Sequence, residues 1–397
     1  MLRQSLTLLF GAAGMLGASG AIAADTPLKG FVTVLPVTHA VPVPAAQARL
    51  AVKPLPTWTY NVTAGADLGG GTYTGTIIGA SPYAATKGVT NIKVQIVPLV
   101  VTINDGTTTQ VYDPTVADPC NTNHPAVTVV QQSPIFTHTT KWKMNGVSIG
   151  ATQYIDAFQR AEFWSLVGGS KYHLLLKPTV LASQPEAFTG AAHGQNFNAV
   201  NNGGCGYIGI VNINDMDQRI RALITGPLAS MINAGTFPIF ITKDVVESTS
   251  GVSTSQCCVL GYHSGLTVGK NLQIYSPFAY DSSGLFGGDV TTLSHEMGEA
   301  INDPSGSNPT PTWGNIGQVK GQCQGNFEVG DPLSEGYGTP TTPFVIPAAN
   351  GLTYHMQELA FLSWFYGSAS LGAGGKYSNN SSFGGNAILC ASGGGTN

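Results

Sequence analysis

In DVTTLSHEMGEAINDP, residues 289–304, apolar and ionisable side chains recur with the period of an α-helix. At about 100° per residue, three titratable side chains fall together on one side, namely His295, Glu296 and Glu299. The opposite stripe is apolar and consists of Val290, Leu293, Met297, Ala300 and Ile301. The pattern therefore predicts a helix that packs one face and presents chemistry on the other.

Both ends of this predicted helix carry boundary signals. Asp289 is a good N-cap residue, and Pro304 disfavours helical geometry at Asp303. Lysine and arginine are absent from residues 282–318, so the titratable face has no basic partner near it in sequence. The alternative is the solvated polar face of an ordinary surface helix. A bound cation explains the missing basic partners better, so we expect a divalent metal.

The spacing on the helix suits metal binding. His295 and Glu299, four residues apart, lie one turn apart and about 40° from each other, so both can reach one ion. Glu296 stands beside them, placed to polarise a metal-bound water and not to ligate. This is the pattern of the His-Glu-x-x-His zinc helix, with glutamate in place of the second histidine. Zinc is the expected cofactor, although another divalent metal would also fit, and the extra carboxylate should weaken its Lewis acidity.

A third ligand has to come from elsewhere in the chain. The first candidates are Glu328 and Asp331, in the stretch GNFEVGDP at 325–332. Asp303 follows, and then His263 or His355, either of which would restore a second imidazole.

The whole chain points to an exported protein. Its 397 residues suffice for one large domain or two, only 10% are charged, the net charge is −4, and no basic patch suggests nucleic acid. Arg3, an apolar run at 6–16 and the small residues at 21–23 predict a signal peptide over residues 1–23. An uncleaved membrane anchor is the alternative, and no later segment is apolar enough to span a bilayer. We expect a secreted protein, extracellular or periplasmic.

Cysteine usage agrees with export. The chain has six cysteines, an even number that permits up to three disulfides: Cys120, Cys205, Cys257, Cys258, Cys323 and Cys390. On a strand, Cys257 and Cys258 would point to opposite faces, so we expect them to pair with separate partners. A bridge from one of them to Cys323 would tie the segment before the metal helix to the one after it. Zinc binding by the thiols is the alternative, but no Cys-x-x-Cys pair supports it.

The chain divides by composition into four parts, the first of which is the predicted signal peptide at residues 1–23. Residues 24–56 are rich in Pro, Val and Ala and predict an extended linker or pro-segment outside the core. Residues 57–190 are β-rich, and 191–397 alternate strands with helices and carry the metal helix; the two parts should form one continuous unit. Expected strands are 71–80, 91–103, 172–180, 205–213, 237–243, 257–262 and 271–276, and expected helices are 152–166 and 216–234. The fold class is α+β, a mixed sheet with an active-site helix.

Several motifs occur in an order that is similar to a known family: GYHS at 261–264, SHEMGE at 294–299, NDP at 302–304, EVGD at 328–331 and, more loosely, YHMQ at 354–357. The chain resembles secreted bacterial relatives of the plant EXORDIUM or phosphate-induced proteins over roughly residues 205–366, and TQYIDAFQR at 152–160 resembles the bacterial members alone. The resemblance implies a zincin-like metallopeptidase fold. It implies His295 and Glu299 as ligands, Glu296 as general base, and Glu328 or Asp331 as the downstream acidic partner.

The expected activity is hydrolysis of a peptide or protein substrate by a secreted zinc-dependent metallopeptidase. Tyr262 or His263, or else Tyr354 or His355, could stabilise the oxyanion. One alternative is a non-catalytic secreted protein that keeps the metal for stability in a closed site. Another is a cell-surface or glycan-binding protein, suggested by the low charge and by tryptophans that look exposed: Trp58, Trp313 and Trp364.

Overall fold

The computed structural model describes residues 31–34, 38–41, 52–286, 289–314, 323–335, 339–340, 342–348, 351–385, 387 and 390. The strands, numbered in chain order, are β1 Phe31–Val34, β2 Thr38–Val41, β3 Thr57–Thr63, β4 Thr72–Ile78, β5 Val89–Asn104, β6 Thr109–Tyr112, β7 Lys141–Met144, β8 Val147–Ala151, β9 His173–Val180, β10 Gln184–Thr189, β11 Gly194–Asn198, β12 Tyr207–Asn212, β13 Thr236–Lys243, β14 Val245–Ser248, β15 Cys257–Val268, β16 Asn271–Tyr280, β17 Pro309–Trp313, β18 Gln324–Asn326, β19 Ser334–Glu335, β20 Thr339–Pro340, β21 Phe344–Pro347 and β22 Thr353–Met356. The α-helices are α1 Ala126–Gln132, α2 Tyr154–Glu162, α3 Trp164–Val167, α4 Ile213–Thr225, α5 Thr291–Asn302 and α6 Leu362–Tyr366.

One twelve-stranded sheet organises the molecule. Its main path runs β10-β5-β13-β16-β15-β14-β12-β11, while β6 and β9 also pair with β5. The pairing is mixed, since β5, β13 and β16 run parallel and β15 pairs antiparallel with both β16 and β14. Strands from both sides of residue 190 share this sheet. The α+β class with a mixed sheet is therefore confirmed.

The long strand β5 shows why the sheet is covered on both faces. Its even-numbered residues, such as Ile92 and Val94, belong to the core beneath α2 and α5, whereas its odd-numbered residues, such as Val97 and Leu99, belong to the core beneath α4. Because successive side chains of a strand point to opposite faces, a strand buried on both sides is apolar almost throughout. This accounts for the uninterrupted apolar run at residues 96–101.

Helix α5 keeps the predicted apolar stripe but begins later than expected. The five stripe residues are buried, and the helix ends at Asn302, just before Asp303. The prediction of Asp289 as N-cap is wrong: Val290 occupies that position, with no side-chain cap. The Asp289 carboxylate is instead engaged by the backbone N–H and ring of His355.

Two other predicted helices have different limits. The expected helix at 152–166 is interrupted at Phe163 and forms α2 and α3. The expected helix at 216–234 begins at Ile213, because the Asn212 side chain accepts the N–H groups of the first turn, and it ends at Thr225 before a Gly-Pro pair. The expected strand at 257–262 continues as β15 to Val268.

Residues 24–56 are predicted to lie outside the core, but two strands within this segment join the sheet. The backbone of β1 pairs parallel with β15, with Val32 opposite Gly261 and Val34 opposite His263, and β2 continues this pairing further along β15. The predicted signal peptide at 1–23 lies outside the described residues. No helix among the described residues is long and apolar enough to cross a membrane.

All six cysteines form disulfides. Cys120 pairs with Cys205 and Cys323 with Cys390, each with Cα atoms 5.8 Å apart. Cys257 and Cys258 pair with each other, so the expectation of separate partners, one of them Cys323, is wrong. That expectation assumed that the side chains of adjacent residues on a strand always point to opposite faces.

Candidate metal centre

Helix α5 is buried on every side. His295, Glu296 and Glu299 are 0%, 0% and 2% exposed, so the interpretation of a solvated surface face is wrong. The helix lies close against β15, where a Cβ on Gly261 would come within 2.6 Å of the Thr292 Cγ2 atom. A surface helix would leave its charged face in water, and three ionisable groups placed in a core need partners of opposite charge.

The first metal-binding group joins α5 to the downstream loop. The His295 Nε2 atom lies 3.0 Å from the Glu299 Oε2 atom and 3.6 Å from the Asp331 Oδ1 atom. All three ligand atoms lie within 4.8 Å of one another, a spacing that can hold one metal ion. The i,i+4 pair from the helix and one of the candidate loop carboxylates therefore lie together in the structure.

A second group lies beside the first and shares Glu299 with it. The His263 Nδ1 atom, from β15, is 3.3 Å from the Glu296 Oε2 atom and 3.7 Å from the Glu299 Oε2 atom. On the other side of the ring, the His263 Nε2 atom is 3.6 Å from the Glu328 Oε2 atom. Both downstream carboxylates thus reach the centre. We refer to His263, His295, Glu296, Glu299, Glu328 and Asp331 together as the ligand cluster.

Amide groups outside the ligand cluster hold its downstream carboxylates in place. Alternate residues of β18, Gln324 and Asn326, donate to the Asp331 Oδ2 and Glu328 Oε1 atoms. The backbone N–H groups of Gly330 and Asp331 donate to the Glu299 Oε1 atom at 3.1 and 3.2 Å. In each carboxylate one oxygen is anchored from outside, and the other faces a histidine.

His295 likewise has one ring nitrogen held from outside the ligand cluster and the other facing into it. Its Nδ1 atom is 2.6 Å from the Gln357 Oε1 atom, and the Gln357 amide in turn donates to the Gly330 carbonyl. An Nδ1–H group donating to Gln357 leaves the lone pair of the Nε2 atom directed into the ligand cluster. Outer hydrogen bonds of this kind fix the tautomer of metal-binding histidines.

Four inward-facing atoms have no hydrogen-bond partner among the described residues: His263 Nε2, His295 Nε2, Glu296 Oε1 and Glu328 Oε2. The His295 Nε2 and Glu299 Oε2 atoms lie 3.0 Å apart, close enough to ligate the same ion. Buried polar atoms without partners are rare, and a bound ion is one of the explanations for a cluster of them. Imidazole nitrogens and carboxylate oxygens are the ligands of zinc and related divalent metals, so the residues present fit such an ion.

The ligand cluster contains more carboxyl groups than the positive charges near it can balance. Burial raises the pKa of Glu296 and of Glu328 well above the usual range, and the nearby Glu299 raises both further. Burial and Glu299 together raise the pKa of Asp331 to about 7, against the opposing effect of His295. Carboxylates this close cannot all ionise in an apolar interior unless a cation joins them. A divalent ion would supply that charge.

The pKa values of the two histidines shift in opposite directions. Burial lowers the pKa of His263 to about 4, although Glu299 opposes the shift. Burial acts in the same direction on His295, but Glu299 and Asp331 outweigh it and raise its pKa. His263 is therefore neutral at pH 7, the form in which imidazole binds a metal.

Tyr262, predicted as a catalytic residue, is not brought to the ligand cluster. Gly261 and His263 face α5, and the residue between them faces the other side of the sheet because strand side chains alternate. The Tyr262 hydroxyl donates to the Asp217 Oδ1 atom of α4 at 3.2 Å. The proposed oxyanion role for Tyr262 is therefore wrong.

Two further candidate ligands are committed elsewhere. The Asp303 carboxylate accepts the backbone N–H groups of Ser307 and Asn308, so it closes the turn after α5. The His355 Nδ1 atom is 2.5 Å from the Asp289 Oδ2 atom, and about a third of its side chain is exposed. Among the described residues, neither belongs to a group that could hold a metal ion.

The amides Gln324, Asn326 and Gln357 are site residues that the sequence interpretation missed. A signal for them existed, since Gln324 and Asn326 alternate just before Glu328 and Asp331, and Gln357 ends a motif already noted. The tryptophans that looked exposed are buried, with Trp313 at 0% and Trp364 at 4% exposure.

Comparisons of the chain with models of protein families, with curated proteins and with solved structures found no match.

Proposed function

We propose that this protein is a secreted metal-dependent hydrolase that cleaves peptide bonds. One observation carries the proposal: amides anchor the outward-facing atoms of the ligand cluster, and four of its buried atoms have no hydrogen-bond partner in the part of the chain that the structure describes. Hydrogen bonds that orient ligands from outside are typical of metal sites. The resemblance of the SHEMGE helix to zincin-like proteins supports hydrolysis as the chemistry.

His295, Glu299 and Asp331 would hold the ion, and the neighbouring His263 and Glu328 complete its surroundings. A divalent ion bound there supplies Lewis acidity, which polarises a carbonyl group and makes water more acidic. The Asp331 side chain, 15% exposed, is the most accessible of the three ligands. We propose that substrate approaches from the Asp331 side.

Glu296 is the residue we assign to proton transfer. Its Oε1 atom has no partner among the described residues, and its Oε2 atom lies 3.3 Å from the His263 ring, which orients the carboxylate. Glu296 accepts a proton from the attacking water as the new C–O bond forms. It then returns that proton to the departing amine as the C–N bond breaks.

The disulfides support a proposal about the compartment in which the protein acts. Three disulfide bonds fit an oxidising compartment, in agreement with the signal peptide predicted at residues 1–23. We therefore propose that the substrate is an extracellular or periplasmic protein.

Hydrolysis of an unfolded generic protein, with and without a chelator, tests the proposal. Wild type should cleave it, the chelator should stop cleavage, and Glu296→Gln should lose about a hundredfold or more in rate while retaining the metal. Glu186→Gln serves as the control, because Glu186 forms an ion pair with Arg219 away from the ligand cluster. A fully active Glu296→Gln variant removes this residue from the mechanism, and cleavage that survives the chelator refutes metal dependence.

A second candidate function is a metal-stabilised structural protein. The observation that favours it is burial, since His295, Glu296 and Glu328 are all 0% exposed. In a closed site every coordination position is filled by protein, and the metal contributes only folding energy. Under this alternative, metal removal lowers the melting temperature but no protein substrate is cleaved with or without metal.

A further inference from the structure

A cavity separate from the ligand cluster lies between β3, the end of α2 and the beginning of α6. Its volume is about 360 Å³, which falls within the range of small-molecule sites. Its walls are aromatic, with the Trp58 ring centroid 6.0 Å from that of Tyr83 and 5.8 Å from that of Phe163. Aromatic walls offer flat apolar surfaces on which a ring-shaped ligand can lie.

Two residues that line the cavity carry buried polar atoms that the described protein groups do not satisfy. The Trp58 Nε1 and Ser363 Oγ atoms have no hydrogen-bond partner among the described residues, and the two side chains are 8% and 6% exposed. Trp58 can only donate, and Ser363 can both donate and accept. A ligand that meets both must therefore offer at least one acceptor, which an ammonium or guanidinium group cannot do, whereas a hydroxyl group can pair with either atom.

The charge of the lining argues against ionic ligands. Among the residues that line the cavity there is no lysine, arginine or histidine, so a phosphate or carboxylate ligand would find no counter-charge. Glu162 is the one carboxyl group in the lining, and it is 1% exposed, with its Oε1 atom accepting the Leu362 N–H at 2.7 Å. Burial raises the pKa of Glu162 to about 8, so at pH 7 it offers hydrogen bonds more than charge.

We propose that this cavity binds a neutral glycosyl unit of a saccharide. A sugar ring has one apolar face for Trp58 and Tyr83, and its hydroxyl groups can both donate and accept toward Ser363 and Glu162. The Trp58 Nε1 and Ser363 Oγ atoms are covered by neighbouring side chains. A ligand can therefore reach them only if one of these side chains turns. Tyr83 is 55% exposed and packs edge-on against Trp58, so its ring can turn to admit a sugar and then lie over it. The proposal goes beyond peptide hydrolysis and does not rest on it.

Titration of the full chain, followed by tryptophan fluorescence and by calorimetry, tests the proposal. The probes are glucose, galactose, mannose, N-acetylglucosamine and their β-linked disaccharides, with choline and acetate as ionic comparisons. At least one saccharide should bind saturably, and neither choline nor acetate should compete. Tyr83→Ala should weaken binding about fivefold or more through lost stacking, and Ser363→Ala should also weaken it.

Two controls separate this cavity from the rest of the molecule. Val111→Ala, at a residue of β6 that is 60% exposed, should bind as wild type does. His295→Ala should also bind, because the cavity lining contains no residue of the ligand cluster. The inference is overturned if no saccharide binds at tens of millimolar, if choline or acetate occupies the cavity instead, or if both cavity variants bind as tightly as wild type.

Discussion

Replacement of Gly330 by alanine tests how tightly the downstream loop holds the metal-binding histidine. A Cβ atom on Gly330 would lie 2.3 Å from the His295 Nδ1 atom and 2.6 Å from its Cε1 atom. Real Cβ contacts are essentially never this short, so either the ring or the loop must move. The backbone is no obstacle, because φ at Gly330 is −87°, a value that alanine adopts freely.

The magnitude follows from what the ring would lose. Overpacking by one methyl group in a full core costs about 1–3 kcal/mol of stability. A displaced ring also breaks the 2.6 Å contact between the His295 Nδ1 and Gln357 Oε1 atoms. Loss of an outer hydrogen bond to a metal ligand lowers affinity about 10- to 100-fold. We therefore expect Gly330→Ala to be less stable and to bind the metal more weakly by these amounts.

Competition with a chromogenic chelator measures the affinity, and urea unfolding of the metal-free protein measures the stability. Gly325→Ala is the matched control, because the nearest atoms to its added Cβ are 3.8 and 3.9 Å away. The control should change stability by less than about 0.5 kcal/mol. The reasoning is refuted if Gly330→Ala keeps wild-type affinity and stability, since His295 would then not be held against this glycine.

Three further outcomes follow from the structure. Gln357→Met removes the acceptor for the His295 Nδ1–H group and should weaken metal binding about 10- to 100-fold in the same competition assay; unchanged affinity would exclude the orienting role. Glu162, with its pKa raised by burial from 4.5 to about 8, binds its proton more tightly in the folded state. Its stabilising contribution is present below pH 4.5 and is lost as the pH rises through 8, by at most about 5 kcal/mol. In urea unfolding at pH 5 and pH 9, Glu162→Gln should therefore lose less stability than wild type, and equal losses would contradict this assignment. Glu296→Gln should retain the metal and lose hydrolysis, as measured by the cleavage assay proposed above.

The parts of the fold that could be predicted are those set by local periodicity. The apolar stripe of α5 identified its packed face because side chains three and four apart share one side of a helix. The same helical spacing predicted that the His295 and Glu299 side chains lie next to each other, as they do in the structure. The start of α5 could not be read in this way, because the Asp289 side chain is recruited by His355, 66 residues away.

Residues contributed by distant segments could be proposed but not placed. The downstream carboxylates were candidates from composition alone, and their position depends on the short β18 strand and on the close approach permitted by Gly330. Tyr262 and His263 are neighbours in sequence, yet they face opposite sides of the sheet, and only the register of β15 against β16 decides which one faces α5. The β1 pairing was missed because a segment rich in Pro, Val and Ala indicates an extended chain without indicating what that chain contacts.

Metal content of the purified protein, measured by elemental mass spectrometry, tests the account most directly. Wild type should carry about one equivalent of zinc or another divalent metal, or take it up at micromolar concentration. His295→Ala should carry none, while His138→Ala, at an exposed histidine remote in sequence, should match wild type. Equal metal content in wild type and His295→Ala would contradict the assignment of the ligand cluster as a metal centre.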